Sequence, residues 1–110
     1  EMFRKLFEDV DVLLAPSRIN IASKLTDPLD RSTGITREGV TTKNRGLRDL
    51  SAAGNLAGLP ALSLPCGFVQ GMPLGMSVVS RPFQDSLVLA IGARYQEKTD
   101  WHMRRPPGTE

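Results

Sequence analysis

The apolar positions fall into short groups separated by turn residues, and each group carries its own period. In EMFRKLFE, Met2, Phe3, Leu6 and Phe7 recur at helical spacing between charges, which predicts the last two turns of a helix over residues 1–8. That pattern is already under way at Glu1, so the start of the chain is expected to be an internal boundary. Val10, Val12, Leu13 and Leu14 then form a nearly continuous apolar run stopped by Pro16, which suits a strand buried on both faces between helices. Residues 17–46 break the pattern. They are polar, with turn signals at Asp27-Pro28, Thr33-Gly34 and Glu38-Gly39, and are read as a long loop that wraps a neighbouring surface.

Helical spacing returns over residues 47–58, where Leu47, Leu50, Gly54 and Ala57 share a face, Gly58 is a C-cap and Pro60 a stop. ALSLPCG, residues 61–67, alternates as a short strand whose end Pro65 demotes to an edge or bend. Gly71 to Pro73 turn the chain, and LGMSVVS, residues 74–80, is a further strand, β-branched at its centre. The two strands can be neighbours. Asp85 is the expected N-cap of a helix running to about Lys98, with Leu87, Ala90, Ile91 and Tyr95 as its buried stripe. Residues 99–110 show no periodicity and form an irregular tail. The fold class is therefore α/β: a single segment, about three strands and two to three helices, with the helices flanking a sheet. Three strands leave both edge rows of backbone donors and acceptors open, so a piece of a wider sheet is the simpler reading.

Composition adds exclusions. The net charge of +2, from 14 basic and 12 acidic residues, gives no ground for nucleic-acid or membrane binding. Arg104 and Arg105, followed by Pro106 and Pro107, read as a solvated tail. Cys66 is the single cysteine, which rules out an internal disulfide and fits a reducing, cytoplasmic setting. No apolar run approaches the roughly 18 residues of a membrane span.

The chemistry visible in the residues is sparse. No serine lies in a Gly-x-Ser-x-Gly context, and the single histidine, His102, sits in the polar tail beside Trp101 and reads as a surface residue. Cys66 reads as a small buried apolar residue. Asp27 and Asp30 are read as solvated charges beside Lys24 and Arg31. The glycines match neither Gly-x-Gly-x-x-Gly nor a P-loop, so no phosphate cradle, cofactor or metal site is indicated.

A set of short segments changes the picture when taken in order. They are D-V-L-L-A-P at Asp11 to Pro16, D-P-L at Asp27 to Leu29 and N-L-A-G-L-P-A-L-S-L-P-C-G-F at Asn55 to Phe68. After these come M-P-L-G-M-S-V-V-S at Met72 to Ser80, R-P-F-Q-D at Arg81 to Asp85 and T-D-W-H-M-R-R-P-P at Thr99 to Pro107. Together they resemble the C-terminal region of the amidase signature family, serine amidohydrolases with a Ser-cisSer-Lys triad. The resemblance covers most of the chain and is weakest over residues 30–46. It implies a mixed β-sheet flanked by helices and a parent enzyme that cleaves carboxamide C–N bonds. It also implies a triad lying upstream, in a Gly-Gly-Ser-Ser-Gly-like segment that this chain lacks. No catalytic residue is therefore assigned here, and the chain alone is expected to be inactive.

The region supplies late strands and final helices in the family, and part of one wall of the substrate pocket. That implies substrate-binding roles for Arg48, Asp49 and Asn55. In the tRNA-dependent amidotransferase branch an acidic residue stands about seven positions before the Asn; here Arg48 does, with Asp49 one residue off. A cation there repels an ammonium and welcomes a carboxylate or neutral group, which favours a different amide substrate. The alternatives are that Arg48 points to solvent, that the parent is the A component of an aspartyl/glutamyl-tRNA amidotransferase, or that the segment is a non-catalytic interaction module. Implied partners are a small-molecule amide in the parent and a second copy bound through exposed sheet surface, with neither nucleic acid nor membrane.

Overall fold

The structure is a computed structural model that describes residues 2–18, 21–22 and 53–109. The order is α1 (Met2–Asp9), β1 (Val12–Pro16), a helical segment over 53–56, β2 (Ala61–Val69), β3 (Met72–Ser80), α2 (Asp85–Lys98) and a 3-10 turn at Trp101–Met103. The three expected strands form one sheet in the order β1-β3-β2, with both pairings antiparallel. The sheet and its flanking helices bear out the α/β reading.

Register decides what each face carries. Val12 lies opposite Ser80 and Ala15 opposite Ser77, while Ala61 lies opposite Val79 and Ser63 opposite Ser77. Since side chains alternate along a strand, Leu13 and Val79 share one face, and Val12, Leu62, Leu64, Met76 and Val78 share the other. The first face packs against Phe7 and Phe3 of α1 and against Leu59. The second packs against Val88, Ile91 and Tyr95 of α2. Val78, on the central strand, is fully buried, and burying such a side chain contributes roughly 1.5–3 kcal/mol. α2 can lie close because Gly92 faces the sheet, where a Cβ would collide with Leu62 Cδ2.

Several local expectations change. β1 is not buried on both faces: Leu14 is 65% exposed, because α2 packs over the β2–β3 side of its face. The buried stripe of α2 is Val88, Ile91, Gly92 and Tyr95; Ala90 is exposed and Leu87 half-buried. Asp85 is the first helical residue and Gln84 the N-cap, so the Asp85 carboxylate acts on the helix dipole without capping an amide. β2 runs past Pro65 to Val69. A bulge between Pro65 and Gly67 absorbs the proline on an edge strand, where a missing ladder donor costs little. Cys66 sits in that bulge and is half-buried, not buried.

The turn lies earlier than expected. Gln70 (φ 52°) and Gly71 (φ 76°) are the two loop residues of a hairpin closed by the pair Val69 and Met72. Positive φ at both positions is the I′ geometry, whose twist matches that of the strands. Pro73 is therefore within β3. It is the next pair out, opposite Phe68, so its ring nitrogen points away from β2, beyond the reach of β1. Glutamine is a poor occupant of the left-handed region, and asparagine a good one. Gln70→Asn is expected to stabilise the chain by about 0.5–1 kcal/mol in urea unfolding, with an unchanged denaturant slope.

The Gly58 C-cap is borne out. Gly58 has φ 66°, its N–H donates to the Asn55 carbonyl (3.2 Å) and the Leu59 N–H donates to the Gly54 carbonyl (3.0 Å). That pair of bonds is a Schellman motif, and it ends the helical segment just after Asn55, ahead of β2 at Ala61. At the other end of the chain, Trp101 packs at a tilt against Phe68, ring centroids 6.1 Å apart, and the Arg104 guanidinium lies 4.9 Å over the indole. Arg104 also donates to Asp100 at 3.0 Å. This part of the tail is held against β2 by an aromatic contact that periodicity does not reveal.

Candidate functional site

Beyond Leu13 and Val79, the α1-side face of the sheet changes character. Its next positions are Ala15, Ser77, Ala61, Ser63 and Gly75, all small. Ser17 follows β1 directly, and its backbone N–H extends the ladder by donating to the Gly75 carbonyl at 2.9 Å. Its hydroxyl lies 2.7 Å from Ser63 Oγ and 2.9 Å from Ser77 Oγ. One serine from the end of β1, one from β2 and one from β3 thus meet in a hydrogen-bonded trio. Gly75 makes room for it, since a Cβ there would stand 3.2 Å from both Cβ and Oγ of Ser17.

Next to the trio is a small pocket of about 80 Å³ lined by Ala15, Gly54, Asn55, Leu59, Ala61, Ser77 and Val79. The helical segment and its Schellman turn place Gly54, Asn55 and Leu59 above the sheet, and β1, β2 and β3 supply the floor. None of these lining residues is charged. Ser77 belongs to both trio and pocket, and it and Asn55 are the pocket's polar side chains.

Of the site residues expected from the sequence, Asn55 lines this pocket and is exposed. Arg48 and Asp49 lie outside the described residues, as do Asp27 and Asp30. His102 is exposed in the 3-10 turn. Among the described residues there is no group of three or more His, Cys, Asp or Glu suited to a metal, and no helix long and apolar enough to cross a membrane. The serine trio is not visible in the sequence pattern. Ser63 and Ser77 each sit between apolar residues in strand patterns, and Ser17 follows a proline; only the register brings them together.

A second, larger and more open groove, about 640 Å³, runs between α1 and the segment after β3. Phe3, Phe7, Ala57, Leu59 and Pro82 form its floor, with Arg4, Glu8 and Arg81 at the rim. Arg81 also reaches back to the residues just before β1, donating to the Val10 carbonyl and to Asp11 Oδ1, each at 3.4 Å. The ion pair is solvent-exposed and weak, although it ties the R-P-F-Q-D segment to the start of the sheet.

The Amidase family model matches residues 1–89, and the chain belongs to that family. Among its relatives, the A component of the glutamyl-tRNA(Gln) amidotransferase of Synechococcus sp. (strain JA-2-3B'a(2-13)) is 44% identical over 105 residues, 96% of this chain and 19% of the relative. The protein of the same name from Pseudomonas putida (strain GB-1) is 41% identical over 106 residues, 96% of this chain and 20% of the relative. That from Methanosarcina barkeri (strain Fusaro / DSM 804) is 35% identical over 105 residues, again 96% of this chain and 20% of the relative. The chain thus spans about a fifth of the length of the curated relatives it matches.

Proposed function

We propose that this chain is the C-terminal part of an amidase-type hydrolase that cleaves a carboxamide, and that it contributes one wall of the substrate pocket. The observation that carries this reading is the position of Asn55. The first residue of the N-L-A-G motif lines an uncharged pocket on the sheet, within the span that matches the amidase family. Arg48 and Asp49 are proposed to extend the same wall. The triad of the parent lies upstream: a serine attacks the amide carbonyl, ammonia or an amine leaves, and water hydrolyses the acyl-enzyme to the acid. No cofactor enters that sequence. The small-molecule amide is the partner, direct contact with nucleic acid or membrane is not expected, and the setting is cytoplasmic.

The second reading is the A component of a tRNA-dependent amidotransferase, favoured by the names of the relatives at 35–44% identity. In that case ammonia is passed on and not lost. Arg48 discriminates between the two, because a cation in the wall disfavours the ammonium of glutamine. In the longer protein, Arg48→Asp is expected to shift kcat/KM by roughly tenfold towards amides bearing a nearby ammonium, about 1.4 kcal/mol of discrimination. Glutamine and a simple aliphatic amide assayed side by side provide the measurement. An unchanged ratio returns Arg48 to a solvent-facing role. Strong glutaminase activity with Arg48 in place moves the amidotransferase reading ahead.

A further inference from the structure

We propose that the tail from Thr99 to Arg104 is a strap across the outer edge of β2, and that it hinders this edge from pairing with β2 of a second copy. This holds whichever amide the parent cleaves.

The backbone groups that β2 turns outward set the problem. β3 lies on one side of β2, and the other side is free among the described residues. In an antiparallel ladder, the residues of alternate pairs direct N–H and C=O away from the partner strand. The Ser80 N–H donates to the Pro60 carbonyl at 3.1 Å, so the next pair, Ala61 and Val79, is one that faces outward. The outward positions of β2 are then Ala61, Ser63 and Pro65, and beyond the bulge Phe68, one pair in from the hairpin turn. They are not equally open. Pro65 has no N–H to offer, and the bulge at Cys66 and Gly67 breaks the row. Phe68 lies past both interruptions, where its N–H and C=O can start a fresh ladder.

The tail meets β2 at that position. Thr99 Oγ1 donates to the Tyr95 carbonyl at 2.9 Å, which fixes the direction in which the chain leaves α2. Trp101 then packs against Phe68, and the Arg104 guanidinium covers the indole while donating to Asp100. Phe68 is opposite Pro73 and so shares the face of Gly75 and Ser77, whereas α2 packs on the other face. The tail therefore reaches Phe68 round the outside of β2, because β3 occupies the inside. An indole held there obstructs an approaching strand by bulk. Phe68 remains 44% exposed and the Ala61 end is open, so the strap weakens pairing without abolishing it.

The test compares mass against concentration, by light scattering, for the chain and for Trp101→Ala, Trp101→Phe and Arg104→Ala. Loss of the aromatic and cation–π contacts in Trp101→Ala is expected to raise the association constant about tenfold, and Arg104→Ala about threefold. Trp101→Phe keeps a ring against Phe68 and should stay within about twofold of the unaltered chain. Amide hydrogen exchange locates the contact. At high concentration Trp101→Ala should gain protection at Ser63 and Phe68, and adding Val69→Lys should remove both that protection and the extra association. Where association ends in precipitation, the clouding concentration replaces the mass, with the same order of variants expected. An unchanged association constant in Trp101→Ala overturns the proposal, as does a rise without protection in β2 or one that Val69→Lys leaves in place. If Trp101→Ala does not fold, Arg104→Ala decides, judged by its own rise and by the same protection in β2.

Discussion

Purified by itself, the 110-residue chain is expected to turn over no carboxamide. An amide carbonyl yields to a serine or cysteine only when the nucleophile is activated by a base within hydrogen-bond reach. The described structure offers three candidates, and each lacks that base. The serine trio is bonded hydroxyl to hydroxyl, with no histidine, lysine or carboxylate in the cluster. Cys66 is half-buried in the bulge of an edge strand, while the single histidine stands exposed in a separate 3-10 turn. Ser80 is fully buried, with its hydroxyl 3.3 Å from the carbonyls of Arg81 and Gln84. Unactivated hydroxyls leave the barrier close to that of the uncatalysed reaction, and enzymes typically lower that barrier by at least about 8 kcal/mol. Ammonia release from acetamide and from a longer aliphatic amide should stay at the blank rate for days. Turnover that survives Cys66→Ala and alanine at each serine would identify a contaminant. Turnover abolished by one of those changes would mean that the chain holds its own nucleophile.

The parts of the fold legible in the sequence are those fixed by local period. The apolar alternation around Leu62 and Leu64, the β-branched centre at Val78 and Val79 and the Gly58 C-cap all translate directly into structure. What was less legible depends on partners distant in the chain. Leu14 reads as buried because its run is apolar, yet it is exposed because α2 covers the other half of the sheet. Pro65 reads as a strand end, but the bulge at Cys66 and Gly67 carries the strand four residues further. The stripe of α2 is rotated by one position because Gly92, not Ala90, is the residue that lets the helix approach Leu62.

The candidate site divides in the same way. Asn55 could be singled out because it belongs to a run of residues whose order is shared across a family. The trio could not, since a lone serine between apolar residues says nothing until register gives it neighbours. Ser77 faces Ser63 across one ladder and Ala15 across the other, and Ser17 arrives one step beyond β1. A face built from alanine, serine and glycine also has too small a hydrophobic contrast to stand out as a pattern. Its meaning comes from geometry.

The isolated chain is also expected to self-associate or to be poorly soluble. Both outer strands of the sheet, β1 and β2, have a free edge among the described residues, and each row of unpaired backbone groups is a template for another chain. Large apolar side chains are also left in water on several elements. Leu14 is on β1, Leu56 (93% exposed) stands before β2, and Phe83 (94% exposed) follows β3. Phe83 is held at φ 65°, a conformation that a bulky residue avoids unless its surroundings impose it. Continuous apolar exposure above roughly 300–600 Å² exceeds what a monomer normally carries. In the longer protein these surfaces are expected to lie against the rest of the sheet and its helices, since the relatives are about five times the length of this chain. Alone, the chain has only itself. Light scattering coupled to size exclusion should show the mass rising above 12.0 kDa with concentration, and a dye that reports exposed apolar surface should brighten. Leu14→Lys, which places a charge on the free edge strand, should shift the equilibrium back towards monomer without unfolding the sheet. A monomer at every concentration, with a cooperative melt and no dye response, would show that the fold closes on itself. The interaction-module reading would then gain over the reading of this chain as part of an enzyme.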